Sequence, residues 1–237
     1  IVHFYDVKYL NLAVFLVMER IVEEPGRKDA SLRSWMGKPL PMGQALLFAL
    51  QIARGMQHAV RKIPGFVHCD LTPGNVLVGA DKLTGTNINR LRVTDFGLIK
   101  IVPDASMGRA DSYAKDGKLD QDRHVSGQGT PFYMAPEQWE NKPEGAYTDI
   151  YALGCILYDL LTGQPAEGKL SLKKLKSAHC SGKLRPVMRK LPEQIHAFLN
   201  RCLAIRPDER YRTWNEVITV LEELYAGLGQ GPVPQEI

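Results

Sequence analysis

The sequence predicts an α+β fold, with two strands at the start, a mostly helical body after them and small hairpins set into that body. Three observations carry this reading. Residues 1–8 (IVHFYDVK) and 12–21 (LAVFLVMERI) are rich in β-branched and aromatic residues and are separated by a turn at 9–11. From residue 42 onward, apolar residues recur at helical spacing in several segments. Between the first of those helices and the rest lie short β-like pieces bounded by Gly, Asn, Asp and Thr, the residues of tight turns.

Each element follows from its own residues. A charged connector at 23–29 contains Pro25 and Gly26. SLRSWM (31–36) predicts a short helix. The spacing of Leu46, Leu47, Leu50, Ala53, Met56 and Val60 predicts a longer one over 42–62, ended by Gly65. VHCD, NVLVGA and LRVTDFG then give short β-like pieces, with KLTGTNIN (82–89) forming an extended hairpin between the last two. Residues 98–137 are polar and weakly periodic, and so long a stretch without periodicity is usually functional or disordered. Helices are predicted at 147–161, 170–179, 192–203 and 213–226, and the Gly/Pro-rich tail LGQGPVPQEI is expected to fray. There is no internal repeat.

Composition narrows the classes of function. A chain of 237 residues with 44% hydrophobic and 24% charged content is ordinary for a globular protein. A net charge of +4, with no stretch concentrating Lys and Arg, gives no argument for nucleic acid or an anionic membrane. The lysine run at 169–176 is interleaved with leucines and reads as a solvated helix face. The four cysteines, Cys69, Cys155, Cys180 and Cys202, form no C-x-x-C pair and read as free thiols of a reducing, cytoplasmic compartment. No apolar run has the length of a membrane span; the best, 150–161, contains Asp159. No signal peptide is visible in the sequence. The chain opens at Ile1 directly in a strand-like run, so further N-terminal sequence is expected. Composition leaves the oligomeric state open.

The chemistry concentrates in FVHCDLTPGNVLV (66–78), where Asp70 and Asn75 stand five apart among apolar residues. HCDLTPGN resembles the catalytic loop H-R-D-L-x-x-x-N of protein kinases, TDFG (94–97) resembles their D-F-G, and APE (135–137) their A-P-E. GTPFYMAPE, TDIYALGCILYDLLTG and RPDERY stand in the kinase order as well. Any one of these is a modest signal; together and in order they cover the chain from Ile1 to about Ala226. The resemblance is to the serine/threonine type. It implies a kinase-like fold that is mostly the helical C-lobe, with the last two N-lobe strands and the hinge at 1–21, the C-lobe at 22–226 and a flexible tail at 227–237.

What the resemblance implies is transfer of the γ-phosphate of ATP, with Mg²⁺, to a Ser or Thr hydroxyl of a protein substrate. Phosphoryl transfer asks a protein for positioning and charge neutralisation more than for covalent chemistry. Asp70 would be the acceptor for the hydroxyl proton. Asn75 and Asp95 would supply hard oxygen ligands to the metal, and Gly97 would let the chain turn after Asp95. By position, Met18 would lie at the back of the adenine pocket, Glu19, Arg20 and Ile21 would form the hinge, and Leu77 would lie under the adenine ring. His68 and Phe96 would pack together, Glu137 and Arg210 would form a buried ion pair, and Asp149 would accept backbone N–H groups beneath the catalytic loop. Thr130 reads as a structural hydroxyl near Asp70.

Three departures stand out. The glycine-rich loop, the phosphate-gripping lysine and its helix glutamate precede the matching region, so this chain is expected to hold ATP poorly and to leave an apolar strand edge open. Cys69 replaces the arginine that pairs with an activation-loop phosphate, which implies that modification of Ser106, Ser112, Tyr113 or Ser126 is not the on-switch. Thr72 stands where a lysine usually meets the transferred phosphate, and losing a cation near developing charge slows such chemistry. A pseudokinase scaffold is the alternative that Cys69 and Thr72 favour and that Asp70, Asn75 and Asp95 oppose. A small-molecule phosphotransferase shares the H-x-D-x-x-x-x-N loop but lacks the A-P-E segment, the 148–163 helix and the RPDER turn.

Overall fold

The computed structural model describes residues 1–10, 13–95, 100–101, 130–163, 171–183, 191–229 and 232–234. Strands β1 (Phe4–Leu10) and β2 (Ala13–Met18) pair antiparallel, with Phe4 opposite Met18 and Leu10 opposite Ala13. The ladder thus sets the strands at 4–10 and 13–18, where the sequence predicted 1–8 and 12–21. Tyr5, Val7 and Leu16 of this hairpin are 65%, 46% and 53% exposed, an apolar surface with no layer packed on it among the described residues. SLRSWM folds as one 3-10 turn (Leu32–Trp35) that buries Leu32 and Trp35. The Asp29 carboxylate fixes its start by accepting from the Ser31 N–H and the Ser34 hydroxyl.

Helix α1 (Met42–Lys62) has the predicted bounds. Leu46, Leu47, Leu50, Ala53 and Met56 are buried, while Val60 is half-buried and packs on the same core. The burial extends round the helix, for Phe48, Ala49 and Ile52 are buried as well, which makes α1 a central element rather than a surface one. After Gly65 come β3 (Phe66–Val67), a 3-10 turn at Pro73–Asn75, β4 (Val76–Lys82) and β5 (Asn89–Val93), with β4 and β5 antiparallel and Val76 opposite Val93. β6 (Lys100–Ile101) pairs antiparallel with β3. The outer edge of β5 meets α1: the buried Gln51 amide accepts from the Leu91 N–H at 2.9 Å and donates to the Asn89 carbonyl at 3.0 Å. The other edge of β4 pairs with 22–31, through Ala80 N–H to the Val22 carbonyl and Val78 N–H to the Ala30 carbonyl.

The remaining helices are α2 (Pro136–Trp139), α3 (Ala146–Thr162), α4 (Leu172–Cys180), α5 (Glu193–Cys202) and α6 (Trp214–Ala226). All but α2, which starts at the end of the 98–137 stretch read as a loop, match predicted helices to within two residues. α3 is buried from Thr148 to Leu161 and forms the axis of the core. A Cβ at Gly154 would sit 2.6 Å from the Cys202 Cβ, so α3 and α5 touch at a distance that only glycine permits. α3 ends at Gly163, whose φ of +68° suits glycine and whose Cβ would meet Pro39 at 2.4 Å. On α4, Lys173, Lys174 and Lys176 are exposed while Leu175 is buried, the solvated face expected of that run; Lys169 lies outside the described residues. No helix among the described residues is long and apolar enough to cross a membrane.

Candidate active site

The 68–75 loop hangs between β3 and β4, and its shape is set from below. Cys69 has φ +66°, a left-handed conformation that costs an L-residue energy unless its surroundings hold it. Asp149, buried at the start of α3, accepts from the His68 N–H at 2.7 Å and the Cys69 N–H at 2.9 Å, one to each carboxylate oxygen. Burial pushes the Asp149 carboxyl up to about 7, against the pull of those two N–H groups. Asp149 therefore accepts backbone N–H bonds as the sequence implied.

His68 does more than pack. Its ring is buried, with Nε2 placed 3.1 Å from the Thr94 carbonyl and Nδ1 accepting from the Asp70 N–H at 3.3 Å. These partners fix the tautomer protonated on Nε2. Burial lowers the pKa of the imidazole, so the neutral form is the one that fits. The expected partner Phe96, like Gly97, lies outside the described residues.

Asp70 and Asn75 are brought together directly. The Asn75 Nδ2 donates to the Asp70 carbonyl at 2.8 Å and to the Asp70 Oδ2 at 3.0 Å. The backbone of Asn75 is tied on both sides, its N–H to the Thr72 carbonyl at 3.0 Å and its carbonyl to the Thr94 N–H at 2.9 Å. That second bond brings the 94–95 turn beside Asn75. Asp95 follows at once, exposed and with φ +59°. With the Asn75 amide nitrogen facing Asp70, its Oδ1 and the Asp95 carboxylate remain as hard oxygen donors on neighbouring turns. No cluster of three or more His, Cys, Asp or Glu suited to a metal occurs among the described residues. A two-oxygen donor set fits Mg²⁺, which takes most of its ligands from phosphate and water. Thr72 is only 5% exposed; it precedes Pro73 in extended conformation and serves the loop through its carbonyl.

On the opposite side of this loop lie the residues read as the hinge. Met18 is partly exposed, with its Sδ 4.0 Å from the Thr94 hydroxyl. Glu19 and Ile21 are half-buried, as is Leu77 on β4, which stands opposite Arg92 in the β4–β5 register. Arg92 binds Glu19 at 3.2 Å and clasps Asp81 with two bonds at 3.0 and 2.8 Å, so Leu77's hairpin and the 18–21 segment are drawn together. Asp81 raises the Arg92 pKa by hydrogen bonding. The sequence reading missed both Arg92 and Thr94; the alternation of β5 (NRLRV) put Arg92 on the half-exposed face without indicating a partner.

The segment after the undescribed 102–129 also reaches the loop. Glu137 and Arg210 form a bidentate pair at 2.8 and 2.9 Å, both buried, as the sequence implied. Arg210 also donates to the Ala204, Ile205 and Tyr147 carbonyls, and the Thr148 hydroxyl donates to Glu137. Gln138 places its side chain between the Ala135 N–H and the Cys69 carbonyl. The Thr130 side chain and residues Ser106, Ser112, Tyr113 and Ser126 lie outside what is described.

A helical body carrying an acid–amide loop, braced from beneath by a buried aspartate and flanked by a second acid, is the architecture of a kinase-type transferase. The model of the protein kinase domain matches residues 1–220, and the chain belongs to that family. It is 33% identical over 174 residues to the serine/threonine-protein kinase PkaA of Streptomyces coelicolor, covering 73% of this chain and 28% of that one. It is 30% identical over 217 residues to the serine/threonine-protein kinase Pkn1 of Myxococcus xanthus, covering 89% and 27%. A probable serine/threonine-protein kinase of Clostridium acetobutylicum matches at 26% over 229 residues, covering 94% and 30%. The chain thus spans less than a third of the length of these relatives.

Proposed function

We propose that the protein transfers the γ-phosphate of ATP to a serine or threonine hydroxyl of a protein substrate, with Asp70 as the base. The observation that carries this reading is the Asn75 amide bonded to both the carbonyl and the carboxylate of Asp70, which holds the acid at one orientation. The neutral His68 supports the Asp70 backbone from behind. In this reading 1–21 acts as the N-lobe strands and hinge and 22–226 as the C-lobe, with the tail at 227–237 outside the catalytic work. Met18, Glu19, Ile21 and Leu77 line the adenine side.

Asp70 takes the proton as the hydroxyl attacks, and Asn75 keeps its carboxylate aimed at that oxygen. Asn75 and Asp95 hold Mg²⁺, which when bound neutralises charge on the phosphates. Thr72 supplies no cation there, so the chemical step is expected to be slower than with a lysine, and Thr72→Lys is expected to raise the rate. Charge-assisted help from Cys69 is absent in the same way, since a thiol cannot pair with a phosphate as a guanidinium does.

The test is transfer from labelled ATP with Mg²⁺ by the full-length protein, on itself and on a generic basic protein. Asp70→Asn and Asp95→Asn are expected to lower the rate by roughly 10²-fold or more without changing the melting temperature by more than a few degrees. Phosphoamino-acid analysis then names the acceptor. A folded wild type that transfers no label would overturn the reading in favour of a binding scaffold.

A further inference from the structure

The Gln138 side chain links the 130–139 segment to the 68–75 loop. Its Nε2 donates to the Cys69 carbonyl at 2.8 Å, and its Oε1 accepts from the Ala135 N–H at 2.9 Å. The Cys69 carbonyl and the Asp70 N–H belong to one planar peptide unit. Whatever holds that carbonyl therefore sets the plane from which Asp70 departs. Three groups act on the left-handed turn at Cys69: Asp149 takes the Cys69 N–H, His68 takes the Asp70 N–H, and Gln138 gives to the carbonyl between them. His68 and Asp149 belong to the loop and to α3. Gln138 comes from the 130–139 segment. Between that segment and the loop lies a cavity of about 10 Å³, lined by Cys69, Asp70, Tyr133, Gln138 and Thr148 among others, enough for about one water. The Gln138 amide bonds directly from one wall of this cavity to the other.

We propose that Gln138 is a positioning residue: it orients the Cys69–Asp70 peptide, and with it the Asp70 carboxylate, according to where the 130–139 segment sits. The proposal rests on the reading of Asp70 as the base. The link is built of neutral groups and needs no phosphate. The competing description is a helix cap alone, since the Ala135 N–H bond closes the first turn of α2.

Two substitutions separate the descriptions. Gln138→Glu keeps an acceptor for Ala135 but turns a carboxylate oxygen toward the Cys69 carbonyl; Gln138→Met removes both bonds. In the full-length protein both are expected to lower kcat by on the order of tenfold with KM for ATP unchanged. Both are also expected to speed alkylation of Cys69 by iodoacetamide, read by peptide mass spectrometry with Cys180 as the internal reference. A capping role predicts that Gln138→Glu matches the wild type in kcat and in Cys69 alkylation, and that result overturns the proposal, as does a change confined to KM. If the wild type transfers no phosphate, the kinase reading fails on its own, and the alkylation rates decide: acceleration at Cys69 supports the link, and an unchanged rate in both variants removes it. Should Gln138→Glu not fold, Gln138→Met carries the same readouts.

Discussion

Two buried carboxylates brace the catalytic loop and the segment beside it, and they are kept in opposite ways. Glu137, under α2, faces the guanidinium of Arg210, and the pair is surrounded by three backbone carbonyls and the Thr148 hydroxyl. Asp149, under the 68–75 loop, has no cation bonded to it among the described residues and is met by two backbone N–H groups. In the first region charge answers charge, and the geometry is closed. In the second, peptide dipoles answer a carboxylate that burial and the nearby Glu144 and Glu137 all press toward its protonated form. The lesson is that the anchor of the 136–139 helix is built to be permanent, whereas the anchor of the catalytic loop has a proton to gain.

The largest effect is expected from breaking the permanent anchor. Arg210→Met leaves Glu137 buried without its cation and should cost about 3–5 kcal/mol, read as a drop in the urea midpoint at constant slope. Adding Glu137→Leu should restore only part of that, because the Ala204, Ile205 and Tyr147 carbonyls lose their donor as well. Full recovery in the double variant would show that the pair matters only to itself.

Asp149→Ala is the matching break in the other region. It strands the N–H groups of His68 and Cys69 without their acceptor, for about 2–4 kcal/mol in all. It should also abolish phosphate transfer, whereas the loss in Arg210→Met should follow the unfolded fraction.

A further test sharpens the contrast by pH. Asp149 is raised from 3.8 to about 7, so the folded state binds more protons than the unfolded chain across that window. Its contribution is complete below pH 3.8 and is lost as pH rises to about 7. His68 runs the other way: its pKa is depressed from 6.5, and the stability it adds above pH 6.5 is lost as pH falls. The urea midpoint of the wild type relative to Asp149→Asn should therefore fall as pH is raised and level off above about 7. A difference independent of pH would mean that the two N–H bonds hold the carboxylate ionised throughout.

The elements and the sites were not equally legible in the sequence. Helical spacing and turn residues placed α1 to the residue and α3 to α6 within two, while missing α2, because burial of a whole helix face leaves a periodic trace that a four-residue helix is too short to show. The first two strands were placed less well, at 1–8 and 12–21 against 4–10 and 13–18, because runs of β-branched and aromatic residues continue past the paired residues. Asp70, Asn75, Asp149, Glu137 and Arg210 could be named in advance because their residue types and order resemble a family. The bonds of Gln138, Arg92 and Thr94 could not. They join positions up to 76 residues apart in sequence, as Thr94 and Met18 do, and no local spacing encodes such a contact. Cys69 is a mixed case: its replacement of an arginine was visible, while its left-handed backbone was not.

The Gln51 amide has a consequence for how the protein behaves at high concentration. A two-stranded hairpin ordinarily offers rows of free N–H and C=O groups on its outer edges, and a second chain can add a strand there. In the β4–β5 hairpin Gln51 occupies the Asn89 carbonyl and the Leu91 N–H, Val2 donates to the Val93 carbonyl, and 22–31 lies along β4. A helix side chain thus stands in for a neighbouring strand. This hairpin gives no template for intermolecular strand addition, whatever the crowding, for as long as α1 remains in place.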